Sequence, residues 1–372
     1  MKTTYRKKII PLTILAAINL CIGCRHADVV QDTPVELNDS SAAVLYILNE
    51  GNMGSNKATI DLYDIAADSI IRDIYPRMNP NVVKELGDVG NDIAVYGNKM
   101  YIIVNVSGKI EVTDLRCRRI GQIEVPNCRN ITFAAGYAYV SSYAGPVDYN
   151  NPEYKQLGYV AKIDTTTLAV VATCTVGYQP NGVAIAGDML YVANSGGYMA
   201  PRYDSTVSVI SLDSFEETQR LTVAQNLESI IYDSIHNTLF ISSQGNYNTL
   251  PAELYRLDLT SGNLQGLGFA ATKMYLCRQK LYFYSGDMLT GNNISYGYLS
   301  IETLQRTPIT LSNSAEIRMP YSIYVDEESE DIYLTDARDY VTPGVLYRYD
   351  KNGTLVSKHR TGDIPGHIIK VK

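Results

Sequence analysis

From residue 43 onward the chain is written in short apolar runs separated by turns. Seven of these runs place an aromatic at the same point. They are Leu45-Tyr46-Ile47-Leu48, Met100-Tyr101-Ile102-Ile103, Ala138-Tyr139-Val140-Ser141, Leu190-Tyr191-Val192-Ala193, Leu239-Phe240-Ile241-Ser242, Leu281-Tyr282-Phe283-Tyr284 and Ile332-Tyr333-Leu334-Thr335. Branched and aromatic residues at this density, punctuated by Gly, Pro and Asn, describe strands and not amphipathic helices. Successive aromatics stand 55, 38, 52, 49, 42 and 51 positions apart, close to the 40–50 residues of a four-stranded propeller blade. A second strand precedes six of the seven, at 92–95, 131–134, 182–185, 229–232, 273–276 and 322–325. The run at Tyr46 has none, while 367–371 is a strand without a neighbour in sequence. The pattern predicts an all-β fold: a seven-bladed β-propeller of four-stranded antiparallel blades. Its C-terminal strand pairs into the N-terminal blade and leaves no open edge at the seam. The repeat tyrosines are then expected in the packing between blades.

The N-terminal segment reads as a targeting signal. Lys2, Arg6, Lys7 and Lys8 form a basic stretch, and 9–20 is apolar but short of the roughly 20 residues that span a membrane. Ile22-Gly23-Cys24 follows, resembling a bacterial lipobox with Cys24 as the lipidated residue. The expected organisation is a signal peptide over 1–23, a flexible tether over 24–42 and the propeller over 43–372. The Cys21-x-x-Cys24 spacing is not read as a redox or zinc motif, because Cys21 leaves with the signal. Removing the four basic residues leaves 28 basic against 39 acidic, a net charge of -11. That balance excludes a phosphate-tracking nucleic-acid surface.

Tyrosine changes the picture most: 30 Tyr stand against 5 Phe and no Trp. In a four-stranded meander, with strands A to D from the axis outward, the B–C and D–A connections share one face. The B–C connections are long, at 143–158, 195–205, 244–252, 286–294 and 337–344, and long loops in a compact domain tend to be functional. They carry Tyr143, Tyr149, Tyr154, Tyr198, Tyr203, Tyr247 and Tyr340, with Asn194, Arg202, Gln244, Asn246, Asp287, Asp336 and Arg338. Asn49, Asn52 and Asn105 belong to the first two blades, and Tyr178 and Asn181 to a D–A connection. Phenol rings give contact area at small entropy cost, and their hydroxyls both donate and accept. Mixed with amides they suit a large ligand rich in amides or hydroxyls, although loop bracing is the competing use of each one.

Catalytic signals are thin. There is no G-x-S-x-G, H-E-x-x-H or Walker loop, and none of the four His is paired at ligand spacing. Residues 266–271 touch a G-x-G-x-x-A pattern but fall in a repeat loop. The acidic run 326–331 reads as a solvated A–B turn rather than a calcium site, and Asp68, Asp164, Asp204 and Asp233, each followed by Ser or Thr, read as turn formers. Cys117 and Cys128 fall on opposite faces, too far apart for a disulfide; other pairings stay open. No metal site is expected, apart from one contact: His367 opens an innermost strand at the channel mouth, where its imidazole could meet a transition metal carried by a bound ligand.

Two levels of resemblance follow. Gly182-Val-Ala-Ile-Ala-Gly-Asp-Met-Leu-Tyr-Val-Ala-Asn-Ser-Gly197 with Ser205-Thr-Val-Ser-Val-Ile-Ser211 resembles a YVTN-type propeller repeat. Leu48-Asn-Glu-Gly-Asn-Met-Gly-Ser-Asn-Lys-Ala-Thr-Ile-Asp-Leu-Tyr63, Leu334-Thr-Asp-Ala-Arg-Asp-Tyr340, Gly344-Val-Leu-Tyr-Arg-Tyr349 and Asp363-Ile-Pro-Gly366 resemble the BtuG-type surface lipoproteins of the Bacteroidetes. The resemblance implies a non-catalytic, monomeric propeller tethered to the outer membrane and exposed at the cell surface. It implies that the long-loop face binds cobalamin, as a ligand and not a cofactor, and passes it to a TonB-dependent transporter of the BtuB type. A glycan- or protein-binding propeller is the alternative, and a lactonase-like or quinone-dependent enzyme the more distant one.

Overall fold

The computed structural model describes residues 43–148, 151, 153–287 and 290–372. Cys24, the signal and the tether lie outside them, as does Tyr149. Seven four-stranded antiparallel sheets follow one another along the chain. Blade 1 is the composite one: its innermost strand is Pro365–Val371, hydrogen-bonded to Val44–Asn49, then Thr59–Asp64 and Ser69–Ile71. The register pairs Leu45 with Lys370 and Ile47 with Ile368, so the seam closes as the pattern predicts. Blades 2 to 7 each run A to D in chain order, starting at Gly90, Cys128, Pro180, Leu227, Lys273 and Pro320.

Side chains alternate along each strand B, so consecutive residues serve two different cores. Tyr46 and Leu48 pack toward blade 2 with Met100 and Ile102, while Leu45 and Ile47 pack toward blade 7 with Tyr324, Tyr333 and Leu346. The same exchange repeats around the ring. Tyr101 joins Val140, Tyr139 joins Val192, Tyr191 joins Ile241, Phe240 joins Phe283 and Tyr282 joins Leu334. Each repeat aromatic therefore plugs the gap between its own blade and the next. At the wide outer radius some hydroxyls find carbonyls, as Tyr46 does at Leu115, 3.0 Å.

Strands D are exposed and some are short, such as Leu264–Gly266 and Arg306–Pro308. Short, polar or proline-bearing edges resist pairing with other chains. The sequence pattern did not foreshadow the short helix Ile74–Met78 in the connection between blades 1 and 2. The acidic turn after strand A of blade 7 departs from its solvated reading. Asp326 and Asp331 are buried, pairing with Lys370 of the closing strand and with Arg348. The turn therefore fastens the last strand to blade 7. Asp164 and Asp204 do close turns through backbone amides, but Asp68 instead accepts from Tyr63 of its own blade and from Ser357 across the blade 7–blade 1 seam. All four described cysteines are free and buried, in agreement with the exclusion of a Cys117–Cys128 bridge.

Candidate functional site

The axis opens on the long-loop face into a cavity of about 550 Å³ that every blade lines through strand A or the loops beside it. Six of the seven A–B pairs slip register at the top of strand A, and only blade 6 pairs without a shift. A bulge lodges an extra residue and re-aims its neighbours. Here it turns polar side chains toward the axis at the mouth: Asn91 and Asp92, Arg129 and Asn130, Glu228 and Ser229, Tyr321 and Ser322, and His367. Blade 6 contributes Lys273, and Glu50 enters from the first B–C loop.

These groups form arcs. Arg129 Nε donates to Asn181 Oδ1 at 3.3 Å, Asn181 Nδ2 donates to Glu228 Oε2 at 2.9 Å, and Lys273 Nζ lies 3.9 Å from Glu228 Oε1. The Arg129 guanidinium sits 4.9 Å over the Tyr143 ring, whose hydroxyl donates to the same Asn181 oxygen at 2.6 Å. A second arc joins Asp92 to Asn130 Nδ2 (3.3 Å), to the Ile131 amide (3.0 Å) and to His367 Nδ1 (3.4 Å). Tyr321 donates to Glu50 Oε2 at 3.0 Å.

Burial dominates the acid–base behaviour. It raises the Glu50 carboxyl to about 7, against the pull of Lys273 and Tyr321, and the Asp92 carboxyl to about 6. Burial, with Lys273 and Arg129 nearby, pushes His367 down to about 3. The imidazole is therefore neutral at pH 5 as well as at pH 7.5, unlike an ordinary histidine. Its Nδ1 lies 3.4 Å from Asp92 Oδ1.

Around the mouth the loops are stapled by a second repeat. The first B–C amide of six blades donates to a D–A carbonyl: Glu50 to Ile364, Asn105 to Val89, Tyr143 to Asn127, Ser195 to Gln179, Gln244 to Asn226 and Ala337 to Met319. Five of those acceptors are left-handed. Val89 (φ 60) and Ile364 (φ 57) are β-branched, a conformation costing on the order of 1–3 kcal/mol each. Both line the mouth.

The candidate residues divide accordingly. Asn49, Asn194 and Asp336 are fully buried and do not face a ligand. Each ends a strand B, a place the repeat reserves for a polar staple. Asn49 donates to Thr59, Asn194 accepts from Gly177 and donates to Thr206 and Ser208, and Asp336 accepts the Arg318, Met319 and Arg338 amides. Asn246 and Asp287 close their own loops, capping the Asn248 to Leu250 amides and binding Thr290. The Tyr178 amide is held by Asp204, and the Gln244 amide by Asn226. Tyr143 is buried under Arg129, and Tyr340 packs on Tyr321 at 5.7 Å while its carbonyl accepts from Asn52. Asn52, Asn105 and Tyr198 line the mouth, as does His367; Arg202, Tyr247 and Arg338 are exposed on the loops.

The sequence reading missed Glu50, Asp92, Arg129, Glu228, Lys273 and Tyr321. For those on strand A the signal was present: a charged residue at the top of an innermost strand is out of place in an inter-blade core. The bulges that turn Asp92, Arg129, Glu228 and Tyr321 inward left no trace in the alternation. The channel does hold carboxylates and a histidine, but among the described residues no three metal-ligating side chains gather on one point.

A rim of large apolar side chains surrounds the mouth. Met53, Val106, Leu157, Tyr198, Tyr247, Leu250 and Val341 are all exposed, and they come from the B–C connections of six blades.

No protein-family model and no curated protein sequence matches the chain. Solved structures do. A quinonprotein alcohol dehydrogenase-like protein from Bacteroides thetaiotaomicron is 13% identical, with a TM-score of 0.59 over 88% of this chain and 78% of that one. A functionally unknown protein from Desulfotomaculum acetoxidans is 10% identical, with a TM-score of 0.62 over 89% of this chain and 99% of that one. Apo AztD from Citrobacter koseri is 13% identical, with a TM-score of 0.52 over 89% and 98%. At these identities the likeness is one of fold: a seven-bladed propeller similar to the YVTN, quinoprotein-like and AztD propellers.

Proposed function

We propose that the protein is a binding propeller whose long-loop face captures a corrinoid. In this reading it is anchored through Cys24 to the outer membrane and hands its ligand to a TonB-dependent transporter. One observation carries the reading: a polar mouth fed by all seven blades sits inside an exposed apolar rim. A corrinoid offers partners for both surfaces, peripheral amides for the polar mouth and an apolar macrocycle for the exposed side chains. The fringe would meet Asn52, Asn91, Asn130 and Arg129, and the ring edge would meet Met53, Tyr198 and Tyr247. In this reading His367, which lines the mouth, would supply an imidazole nitrogen to an axial cobalt position. Because its free imidazole stays neutral to about pH 3, such a contact would persist at pH 5.

The test is a titration of the protein with cyanocobalamin and a glycan panel, read by visible absorbance and calorimetry. Saturable one-to-one binding of the corrinoid is expected. Binding of a glycan with no response to the corrinoid would overturn the reading. Aquocobalamin at pH 7.5 and pH 5 reports on His367: a band shift retained at both supports coordination, and an unshifted spectrum on tight binding removes it.

A further inference from the structure

Neighbouring blades carry B–C connections of different length on the long-loop face. Blade 2 connects strands B and C through the turn 105–108, and blade 3 through 143–158. Between them is a cleft of about 550 Å³, walled by Val106, Pro126, Pro146 and Val147. Met53, Asn105, Arg129 and Tyr198 line both this cleft and the mouth, so the two spaces are continuous. Each is the size of a small-molecule site.

Their chemistries differ. The mouth is set with fixed charges and amides, while the cleft is more apolar: Val106, Pro126, Pro146 and Val147 face it, with Lys109, Gln122 and Glu124 also in its lining. The junction is rigid, because Arg129 is held between the Tyr143 ring and Asn181. A single ligand filling both spaces has a polar body over the axis and an apolar arm to one side. The cleft lies to one side of the axis, so the arm would fix the ligand's rotation about a nearly sevenfold axis.

We propose that the cleft between blades 2 and 3 is a second subsite, which holds a flat apolar or aromatic appendage of the ligand whose polar body covers the mouth. The inference rests on the corrinoid reading, in which that appendage is the nucleotide base.

The full chain is titrated with cyanocobalamin and with dicyanocobinamide, which keeps the macrocycle and lacks the nucleotide. Val106→Arg fills the cleft from an exposed turn position, Val147→Glu does so from the opposite wall, and Ile235→Arg on the far face is the control. Melting temperatures within about 2 °C of the parent verify folding. The cleft variants are expected to weaken cyanocobalamin at least about tenfold and leave dicyanocobinamide within about twofold; the control changes neither. Equal loss for both ligands, or no loss for either, overturns the second subsite and leaves the corrinoid reading standing. If neither corrinoid binds the unaltered protein, that reading falls and the subsite with it.

Discussion

The two faces of the propeller use the same residue types to opposite ends. On the turn face, Asp64, Asp114, Asp164 and Asp258 end a strand C and Asp350 follows one, and each accepts the backbone amides of the turn that follows. Those bonds hold the carboxyls of Asp164, Asp258 and Asp350 below the ordinary range. On the loop face, Glu50 and Asp92 are drawn out of water and their carboxyls rise. Apolar exposure is just as unequal: the rim side chains ring the mouth, while Ile235 stands on the turn face. These turn-face aspartates are satisfied locally. The loop face carries the raised carboxyls of the mouth and, at Val89 and Ile364, left-handed β-branched backbone.

The most drastic way to break this comparison is to open the ring. Deleting 366–372 exposes the edge of Val44–Asn49 in blade 1 and strips the axis of His367. Loss of a single cooperative melt is expected, checked by calorimetry; a truncated protein melting with its parent would refute the seam. Next, the repeat aromatics can be set against the loop aromatics. Tyr101→Ala empties the core between blades 2 and 3 and should cost about 3–5 kcal/mol in denaturant unfolding. Tyr198→Ala should barely move that curve yet cost about 1–3 kcal/mol of corrinoid binding, while Ile235→Ala alters neither. A binding loss at Ile235 would invert the assignment of faces.

Smaller effects follow from the carboxyls. The folded-state value of Glu50, about 7, lies above its ordinary 4.5, so the folded protein takes up a proton more readily than the unfolded chain. Ionised Glu50 therefore burdens stability above about pH 7, and the burden is relieved as the pH falls toward 4.5. Glu50→Gln should raise the melting temperature at pH 8 by on the order of 2 °C and leave it unchanged at pH 4.5. Asp258 has the opposite sign. Its lowered carboxyl contributes stability above pH 3.8, lost as the pH falls through its folded value. Asp258→Ala should give the slightest destabilisation of the set at pH 7, fading in acid, with no effect on binding.

The architecture was legible because each strand B states its alternation openly. Tyr46 and Ile47 differ in which core they enter, and the sequence writes that difference every second residue. The site was less legible for a local reason. Asn194 and Asp336 look like ligand contacts as sequence, but they end strand B, where the repeat needs a polar staple and buries it. Arg129 and Glu228 look like strand residues, and only the register slip at strand A turns them to the axis. Asparagines in loops over-reported the site, and charges at strand starts under-reported it.

Pairing Leu45 with Lys370 also sets an order of events during folding. Blades 2 to 7 are each contiguous in sequence and form from local hairpins, whereas blade 1 must wait for the last strand to be made. Any product that stops before Pro365 carries an unpaired edge on its first sheet and an unfilled axis. The closing strand thus acts as a completeness check: a compact, aggregation-resistant molecule, and with it the His367–Asp92 side of the mouth, exists only once the chain is whole.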